Sequence, residues 1–206
     1  MGGSGSILRE FPIALSIGIV FSKSIINLLE NRNTYENVFQ YKHANQVIYG
    51  RLDSFASIVS SIIQNNGYKV MPIPASGIID SDRVCASISH KATAYLAGFG
   101  WIGKNCLLIN PEHGPRIRWA TVFTDAPLEE NQTIMENRCG TCTQCVQACP
   151  ANAIKGRDFV EHESRDMRFD VSKCETYFKE LESSNRLQIC GMCLYACPYG
   201  KKKQSI

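Results

Sequence analysis

Cysteines are concentrated in the last third of this chain, and their spacing constrains its fold more than any other feature. Residues 139–150 read CGTCTQCVQACP, with three cysteines at successive three-residue steps and a fourth followed by proline. A shorter version, CGMCLYACP, occupies residues 190–198. A CxxCxxC segment turns tightly and brings three thiols together, so the two segments predict a module that binds metal through thiolates.

The order of these cysteines is typical of bacterial ferredoxins that bind two 4Fe-4S clusters. In that arrangement the CxxCxxC loop binds one cluster, while the cysteine before proline binds the other. The second set of ligands is then one thiolate short, and Cys174 is the only other cysteine in the C-terminal third. The predicted first set is Cys139, Cys142, Cys145 and Cys197, and the predicted second set is Cys149, Cys174, Cys190 and Cys193.

Zinc and disulfide bonds are the alternatives for these cysteines. Paired CxxC units can bind structural zinc, but a zinc ribbon has no use for a third cysteine three residues further on. Ten cysteines could also pair as disulfides, which are expected in short secreted chains, and nothing in the sequence indicates secretion. The remaining two, Cys85 and Cys106, lie outside the cysteine-rich region and are predicted to be buried, unreactive thiols.

Length and composition limit the class of protein. The 206 residues suffice for one ordinary domain and a small one, and an apolar fraction of 44% provides a core. A net charge of +3 does not by itself indicate nucleic acid, and residues 1–6 indicate a vector-derived remnant. The apolar run 11–21 is interrupted by Pro12, Ser16 and Gly18, which favours a buried strand over a signal peptide. No segment suits a membrane span, so a cytoplasmic protein is expected.

Apolar periodicity and turn residues predict alternating strands and helices before the cysteines. Strands are expected near 12–20, 106–109 and 118–124, an extended segment at a sheet edge or in a loop near 68–74, and helices over 22–29, 34–65 and 87–97. Ser22 is the expected cap of the first helix, while Gly67 and Gly98 are the expected stops of the other two. After the cysteine segment, a surface loop over 156–171 and a helix over 174–183 are expected.

The longest predicted helix, 34–65, carries an apolar stripe that includes Tyr41, Ile48, Leu52, Phe55 and Ile62, which we expect to face a core. A polar linker near 129–137 is expected to separate two domains, 7–130 and 131–206. The alternation of elements before this linker indicates an α/β or α+β layer built on a small sheet.

Three sequence blocks together resemble the epoxyqueuosine reductase family, including its shorter relatives with a double 4Fe-4S cluster domain, and more distantly the reductive dehalogenases. The blocks are residues 90–105, HKATAYLAGFGWIGKN, residues 118–125, RWATVFTD, and the eight cysteines. The cysteine motif is shared with many ferredoxins, whereas the GWIGKN segment narrows the family. The resemblance covers approximately residues 68–200.

The resemblance implies an α+β protein in which a truncated nitroreductase-like α/β domain, residues 7–130, precedes a bacterial ferredoxin-like two-cluster module, residues 131–206. In that family a cobalamin lies between the two domains, and the clusters pass electrons to it. The reduced cobalt then removes the epoxide oxygen from a modified base in a tRNA anticodon. This chain has valine and not aspartate at position 84, where the family's acidic proton donor is expected, and it begins and ends inside the family's length. These departures weigh against tRNA as a partner.

The resemblance also suggests residues for an acceptor site. Asp82, near the expected position of the acidic donor, and His90, where the family tends to have a glutamate, are candidate catalytic proton donors. The glycine-rich loop is a candidate for binding a corrinoid or another acceptor through Gly98, Gly100, Trp101, Gly103 and Lys104. The structural alternatives are a cap or core hydrogen bond for His90, a tight turn for the glycines and a surface charge for Lys104.

The residues are compatible with two functions. The first is an iron-sulfur oxidoreductase that passes electrons through two 4Fe-4S clusters to a bound acceptor such as cobalamin. The alternative is a ferredoxin-like carrier that docks and reduces a partner, such as a corrinoid protein, and has no substrate of its own. A ferredoxin or flavodoxin is the expected electron donor. A second copy of the chain is a candidate partner, because a small α/β fragment leaves sheet edges uncovered.

Overall fold

The structure is a computed structural model that describes residues 9–77, 80, 86–130 and 133–201, in which helices and strands are mixed. The chain divides into two compact units built from interleaved segments. The sheet unit comprises Met1–Ile19, Val47–Phe99 and Arg118–Ile134, and the cysteine unit comprises Val20–Gln46, Gly100–Ile117 and Met135–Ile206. The sequence instead predicts two continuous domains that meet between residues 130 and 131, and this division stays a prediction. None of the described helices is long and apolar enough to cross a membrane.

The elements of the described residues are mostly short. The strands are β1 (Ile13–Val20), β2 (Val70–Ile73), β3 (Trp101–Ile102), β4 (Leu108–Ile109) and β5 (Ile117–Thr124). The α-helices are α1 (Lys23–Asn27), α2 (Tyr35–Asn65), α3 (His90–Leu96), α4 (Gln144–Gln147), α5 (Val171–Ser183) and α6 (Met192–Tyr195). A 3-10 turn, Leu28–Asn31, follows α1, and another, Arg165–Met167, precedes α5.

A three-stranded sheet forms the centre of the sheet unit, with its strands in the order β1-β5-β2. β2 and β5 are antiparallel, and Val70 lies opposite Thr124. The middle strand, β5, is buried at every residue except Arg118, which agrees with its mostly apolar sequence. The strands predicted near 12–20 and 118–124 are confirmed. The predicted edge position of the proline-containing segment near 68–74 is also confirmed, since Pro72 lies in β2 at the edge of the sheet.

The long helix α2 agrees with its predicted limits, but its buried face is rotated by one residue in its second half. Leu52 and Ala56 are 0% and 2% exposed, whereas Phe55 and Ile62, which were expected to be buried, are 43% and 57% exposed. Ala56 packs with Val122 of the sheet. The small side chain brings the helix close to the strand, so the core takes the row that contains alanine and leaves the larger side chains outside.

The predictions for the C-terminal ends of the helices agree with the structure better than those for the N-terminal ends. Gly67 and Gly98 have φ values of +87° and +77°, which supports both predicted stops. Ser22 occupies the predicted N-cap position of α1, but its side chain makes no capping hydrogen bond. α3 begins at His90 and not near residue 87, because the backbone of Ser89 is extended.

The cysteine unit contains a small hairpin in place of the strand predicted over 106–109. β3 and β4 are antiparallel, with Trp101 opposite Ile109. Cys106 has a φ of +57°, which no strand residue adopts, and its N–H donates to the carbonyl of Gly103 at 2.9 Å. The first part of the predicted strand is therefore a turn, and only Leu108–Ile109 pairs.

Candidate iron-sulfur site

The first cysteine segment begins with a tight turn. The N–H of Cys142 donates to the carbonyl of Cys139 at 3.1 Å. Gly140 between them has a φ of +51°, a conformation that favours glycine. The N–H of Cys139 is itself held by Asn137 Oδ1 at 2.8 Å. Backbone bonds and one glycine therefore set the path of the CxxCxxC loop.

The second cysteine segment also depends on a glycine. Gly191 has a φ of +82°, and its carbonyl accepts the N–H of Leu194 at 3.0 Å, which begins α6. A Cβ at Gly191 would lie 2.6 Å from Tyr41 Oη and 2.9 Å from Leu29 Cδ1. Both the backbone conformation and the available space therefore require glycine between the first two cysteines of this segment.

Cys174 enters the site from the first turn of α5. That turn is capped by Asp170, whose Oδ1 accepts the N–H of Lys173 at 3.1 Å. The helix starts at Val171, earlier than predicted, because this carboxylate supplies the cap. The cap fixes the start of the helix and with it the position of Cys174.

The cysteines of the predicted first set lie near one another. Burial raises the pKa of Cys197 to about 11, and Cys139 and Cys145 are close enough to add to the shift. Burial also raises the pKa of Cys145, with contributions from Cys139 and Cys142. The cysteine before Pro198 thus lies beside the loop that it was predicted to complete.

The cysteines of the predicted second set also lie together. Burial raises the pKa of Cys174 to about 11, and the shift includes contributions from Cys190 and Cys149. Burial raises the pKa of Cys193 to about 12, and these three thiols contribute most of its interactions with other cysteines. Cys145, from the first set, makes the smallest of the four cysteine contributions. The assignment of all eight cysteines as ligands stays a proposal.

The chemistry around the thiols fits a sulfur-rich cofactor. Trp101 is 1% exposed and packs in one apolar cluster with Cys197 and Cys139. Its Nε1–H is buried and has no hydrogen-bond partner in the described part of the chain, which is costly unless a ligand accepts it. In the second set, the N–H of Ala153 donates to Cys149 Sγ at 3.3 Å. Thiols with N–H donors beside them suit two 4Fe-4S clusters.

The described cysteines are free thiols in this structure. All nine cysteines in the described residues are free of disulfide bonds, and Cys85 lies outside those residues. No group of His, Cys, Asp or Glu among the described residues is arranged around a single metal ion. Cys106 is 5% exposed, as expected for a buried thiol.

Two adjacent residues, Lys104 and Asn105, donate side-chain hydrogen bonds to main-chain carbonyls of the cysteine segments. Lys104 is 7% exposed, and its Nζ donates to the carbonyl of Gly140 at 2.5 Å and to that of Cys142 at 3.5 Å. Asn105 Nδ2 donates to the carbonyl of Cys193 at 3.0 Å. The amine of Lys104, which was predicted to contact an acceptor, therefore binds the first cysteine loop.

Arg116 is a third such residue, and the sequence interpretation missed it. It is 3% exposed, and its Nη2 donates to the carbonyls of Cys197 at 3.1 Å and Tyr195 at 3.4 Å. Its Nη1 donates to the carbonyl of Tyr199. Burial lowers the pKa of Arg116, and the neighbouring Cys197 opposes the shift. The only available signal was a charged residue directly before a mostly apolar strand, Ile117–Thr124.

The glycines of the predicted acceptor loop pack against their own chain. A Cβ at Gly98 would lie 2.7 Å from the carbonyl oxygen of Thr133. A Cβ at Gly103 would lie 2.7 Å from Ile109 Cγ1, and one at Gly100 would overlap the carbonyl of Ile109. Close packing therefore accounts for these glycines, and their role in binding an acceptor stays a prediction.

His90 is held at both ring nitrogens within the sheet unit. Nδ1 lies 2.9 Å from Thr121 Oγ1, and Nε2 lies 3.0 Å from the carbonyl oxygen of Pro74. Because a carbonyl only accepts, Nε2 is assigned the hydrogen, and Nδ1 accepts from the hydroxyl. Burial lowers the pKa of His90, which agrees with a neutral ring. Its role as a proton donor stays a prediction, and the other candidate, Asp82, lies outside the described residues.

Comparison with known proteins supports the interpretation of the cysteines. Residues 138–200 match the family described as 4Fe-4S double cluster binding domain. An epoxyqueuosine reductase from Lactococcus garvieae is 32% identical over 94% of this chain and 53% of the relative. The chain thus spans about half the length of this curated relative.

Two solved structures share the mixed helix-and-strand fold. The epoxyqueuosine reductase from Bacillus subtilis has a TM-score of 0.54 and 22% identity over 74% of this chain and 38% of its own. A reductive dehalogenase described with B12-dependent dehalogenation has a TM-score of 0.69 and 20% identity over 93% of this chain and 26% of its own. The resemblance predicted from the sequence is therefore confirmed: the chain is similar to epoxyqueuosine reductases, and its residues 138–200 match a 4Fe-4S double cluster binding domain.

Proposed function

We propose that the chain is an iron-sulfur oxidoreductase that passes electrons through two 4Fe-4S clusters to a bound acceptor, and that this acceptor is a corrinoid. The proposal depends on one observation above all: all eight cysteines lie inside residues 138–200, which match a double cluster domain. Two clusters held by one such domain suit electron transfer, because an electron received at one cluster travels only a short distance to the other.

The residues have distinct tasks in this proposal. The first set, Cys139, Cys142, Cys145 and Cys197, holds one cluster, and the second set, Cys149, Cys174, Cys190 and Cys193, holds the other. The clusters supply one-electron transfer when bound. Burial of Cys197 excludes water from that thiolate, and the N–H of Ala153 and the indole N–H of Trp101 are the donors available to sulfur.

The corrinoid acceptor is supported by the fold. The reductive dehalogenase with the same fold is described with B12-dependent dehalogenation, although this chain spans only 26% of it. The sheet unit is the candidate for a truncated nitroreductase-like domain, and the glycine-rich loop is the candidate for binding the acceptor. Asp82 and His90 remain the proposed proton donors, and His90 would have to release Thr121 or Pro74 to act.

A carrier without its own substrate is the second candidate, and a specific observation favours it. The two charged or titratable side chains proposed for the acceptor site within the described residues, His90 and Lys104, already bond to protein groups. A carrier would take electrons from a ferredoxin or flavodoxin and deliver them to a corrinoid protein or to a second copy of the chain. A related epoxyqueuosine reductase has been solved with a tRNA stem loop, but we do not propose tRNA as a partner here. A cytoplasmic location stays a prediction.

A cobalamin titration separates the two functions. The protein is reconstituted anaerobically with iron and sulfide, cobalamin is added in steps, and its absorption spectrum is followed. A saturable spectral change, followed by reduction of the bound corrinoid when dithionite is added, supports the oxidoreductase. An unchanged spectrum at saturating cobalamin contradicts the corrinoid acceptor and favours the carrier. Protein without iron is the matched control for binding that does not need the clusters.

A further inference from the structure

The two cysteine sets differ in the charges around them. We expect this difference to affect the reduction potentials of clusters on the two sets, and this expectation rests on the ligand sets of the proposed function. Buried cations contact the main chain of the first set, whereas a half-buried cation and a half-buried anion lie beside the second set.

Lys104 brings a positive charge to the first set. Its Nζ donates to the carbonyls of Gly140 and Cys142, which belong to the loop that carries three of the four ligands. The lysine side chain is 8% exposed. Asp158 is the charged group that faces it, at 3.9 Å, but this carboxylate is 55% exposed and is therefore strongly screened by water.

Arg116 brings a second buried charge to the same set. Its guanidinium donates to the carbonyl of Cys197, the ligand that completes the first set, and to the carbonyls of Tyr195 and Tyr199 on either side. All three partners are neutral carbonyls. The guanidinium charge therefore acts on the nearby sulfur, and Cys197 is the group with which it interacts electrostatically.

The second set has a more balanced environment. Arg32 hydrogen-bonds to Cys190, and it also donates to Tyr177 Oη at 3.2 Å. Glu175 lies near Cys174 and carries the opposite charge. Asn105, which bonds to the main chain of this set, is neutral. The charges near the second set thus largely cancel, while those near the first set are positive.

Reduction adds one negative charge to a cluster, and a buried cation stabilises that charge more than an exposed one because the local dielectric constant is low. We propose that Lys104 and Arg116 are positioning residues that hold the reduction potential of a cluster on the first set above that of a cluster on the second set. The first electron accepted from a one-electron donor would then reside at a cluster on the first set.

The test is an anaerobic redox titration of the reconstituted protein, followed by electron paramagnetic resonance, with dithionite as the reductant. Cys174→Ala removes a ligand of the second set, so the remaining signal reports the first set. In that background, Lys104→Met is expected to lower the ratio of reduced to oxidised cluster at a fixed potential about tenfold, which is about 59 mV for a one-electron couple. Lys104→Arg keeps the charge and is expected to retain most of the potential.

If Lys104→Met does not bind iron, variants of two exposed residues still test the inference. Asp158→Asn removes the screened counter-charge of Lys104 and is expected to shift the potential of the first set upward, by less than the lysine change shifts it downward. Lys155→Met is the matched control. Its exposed Nζ donates to the carbonyl of Asp166 at 2.7 Å and not to a cysteine loop, so the potential of the first set should not change.

The outcomes separate the inference from the function on which it rests. An unchanged potential in both Lys104→Met and Asp158→Asn overturns the inference, and so does an equal downward shift in Lys155→Met. Retention of both clusters in Cys174→Ala contradicts the ligand assignment instead. A downward shift with Lys104→Met, an upward shift with Asp158→Asn and no shift with the control support the inference.

Discussion

The cysteine unit and the sheet unit differ in what their buried polar side chains contact. In the cysteine unit, Lys104, Asn105 and Arg116 donate to main-chain carbonyls of the cysteine segments. In the sheet unit, His90 joins the start of α3 to Thr121 of β5 and to the segment after β2. The first arrangement positions candidate ligands, whereas the second holds together an ordinary packed layer.

This difference indicates how a cluster loop is stabilised. The cysteine segments contain only short helices, so many of their carbonyls have no partner in regular structure and must be satisfied by side chains. Those side chains come from residues 104–116, which precede the matched domain at 138–200. The cysteine motif therefore depends on an earlier part of the chain, while the sheet unit is stabilised mainly by apolar packing.

The largest expected effect concerns the ligands of the cysteine unit. Cys174→Ala should halve the iron content, from about eight to about four atoms per chain, because one of two clusters loses a ligand. Iron and acid-labile sulfide are measured after anaerobic reconstitution. Cys106→Ala is the matched control, since this buried thiol belongs to neither set and its loss should leave the iron content unchanged. Full iron in Cys174→Ala would mean that another residue is the fourth ligand.

The next effect concerns the apolar core of the sheet unit. Leu52→Ala should lower the free energy of unfolding by about 2–5 kcal/mol, because a fully buried side chain leaves a cavity. Phe55→Ala, on the exposed side of the same helix, should cost less than about 1 kcal/mol. Denaturant unfolding followed by circular dichroism measures both. Equal losses would contradict the rotated buried face of α2.

A third effect contrasts glycines of the two units. Gly114 in the cysteine unit and Gly67 in the sheet unit have φ values of +60° and +87°, so alanine should cost about 1–2 kcal/mol at each. A Cβ at Gly114 would also overlap the carbonyl of Tyr199, which should add about 1–3 kcal/mol, whereas nothing lies within 4 Å at Gly67. Unfolding of the two alanine variants is compared under the same conditions. A smaller loss at Gly114 would contradict the close approach of the two backbone segments.

The smallest effect is the pH dependence contributed by His90. Its pKa is lowered in the folded protein, so the unfolded chain binds a proton first, and stability falls as the pH drops below about 6.5. His90→Gln should cost about 1 kcal/mol at pH 7.5 through lost hydrogen bonds, and this difference should shrink toward pH 5.5. Denaturant midpoints of both proteins across this range provide the measurement. A difference that grows on acidification would mean that the folded protein favours the charged ring.

The sequence was most informative where chemistry dictates spacing. The double cluster domain follows from the spacing of its cysteines and is matched over residues 138–200, and the strands near 12–20 and 118–124 and the long helix 34–65 follow from long apolar patterns. Gly67 and Gly98 also lie where a left-handed conformation ends a helix. These features are local, so a pattern of a few residues is enough to predict them.

The features that escaped prediction depend on contacts between distant parts of the chain. The sequence could not assign Ala56 to the buried face in preference to Phe55, because that choice depends on how closely α2 approaches Val122. Lys104 and Arg116 carry no signal of their cysteine-loop partners, which lie 36 to 83 residues further along the chain. The sequence does not show whether a charged side chain faces solvent or donates to a buried carbonyl. Only the fold distinguishes these two cases.

The central claim is that eight cysteines of this chain hold two four-iron clusters, and the iron and sulfide content of the reconstituted protein tests it most directly. The account predicts about eight iron and eight sulfide atoms per chain. About four of each, or a single zinc ion without sulfide, would contradict it.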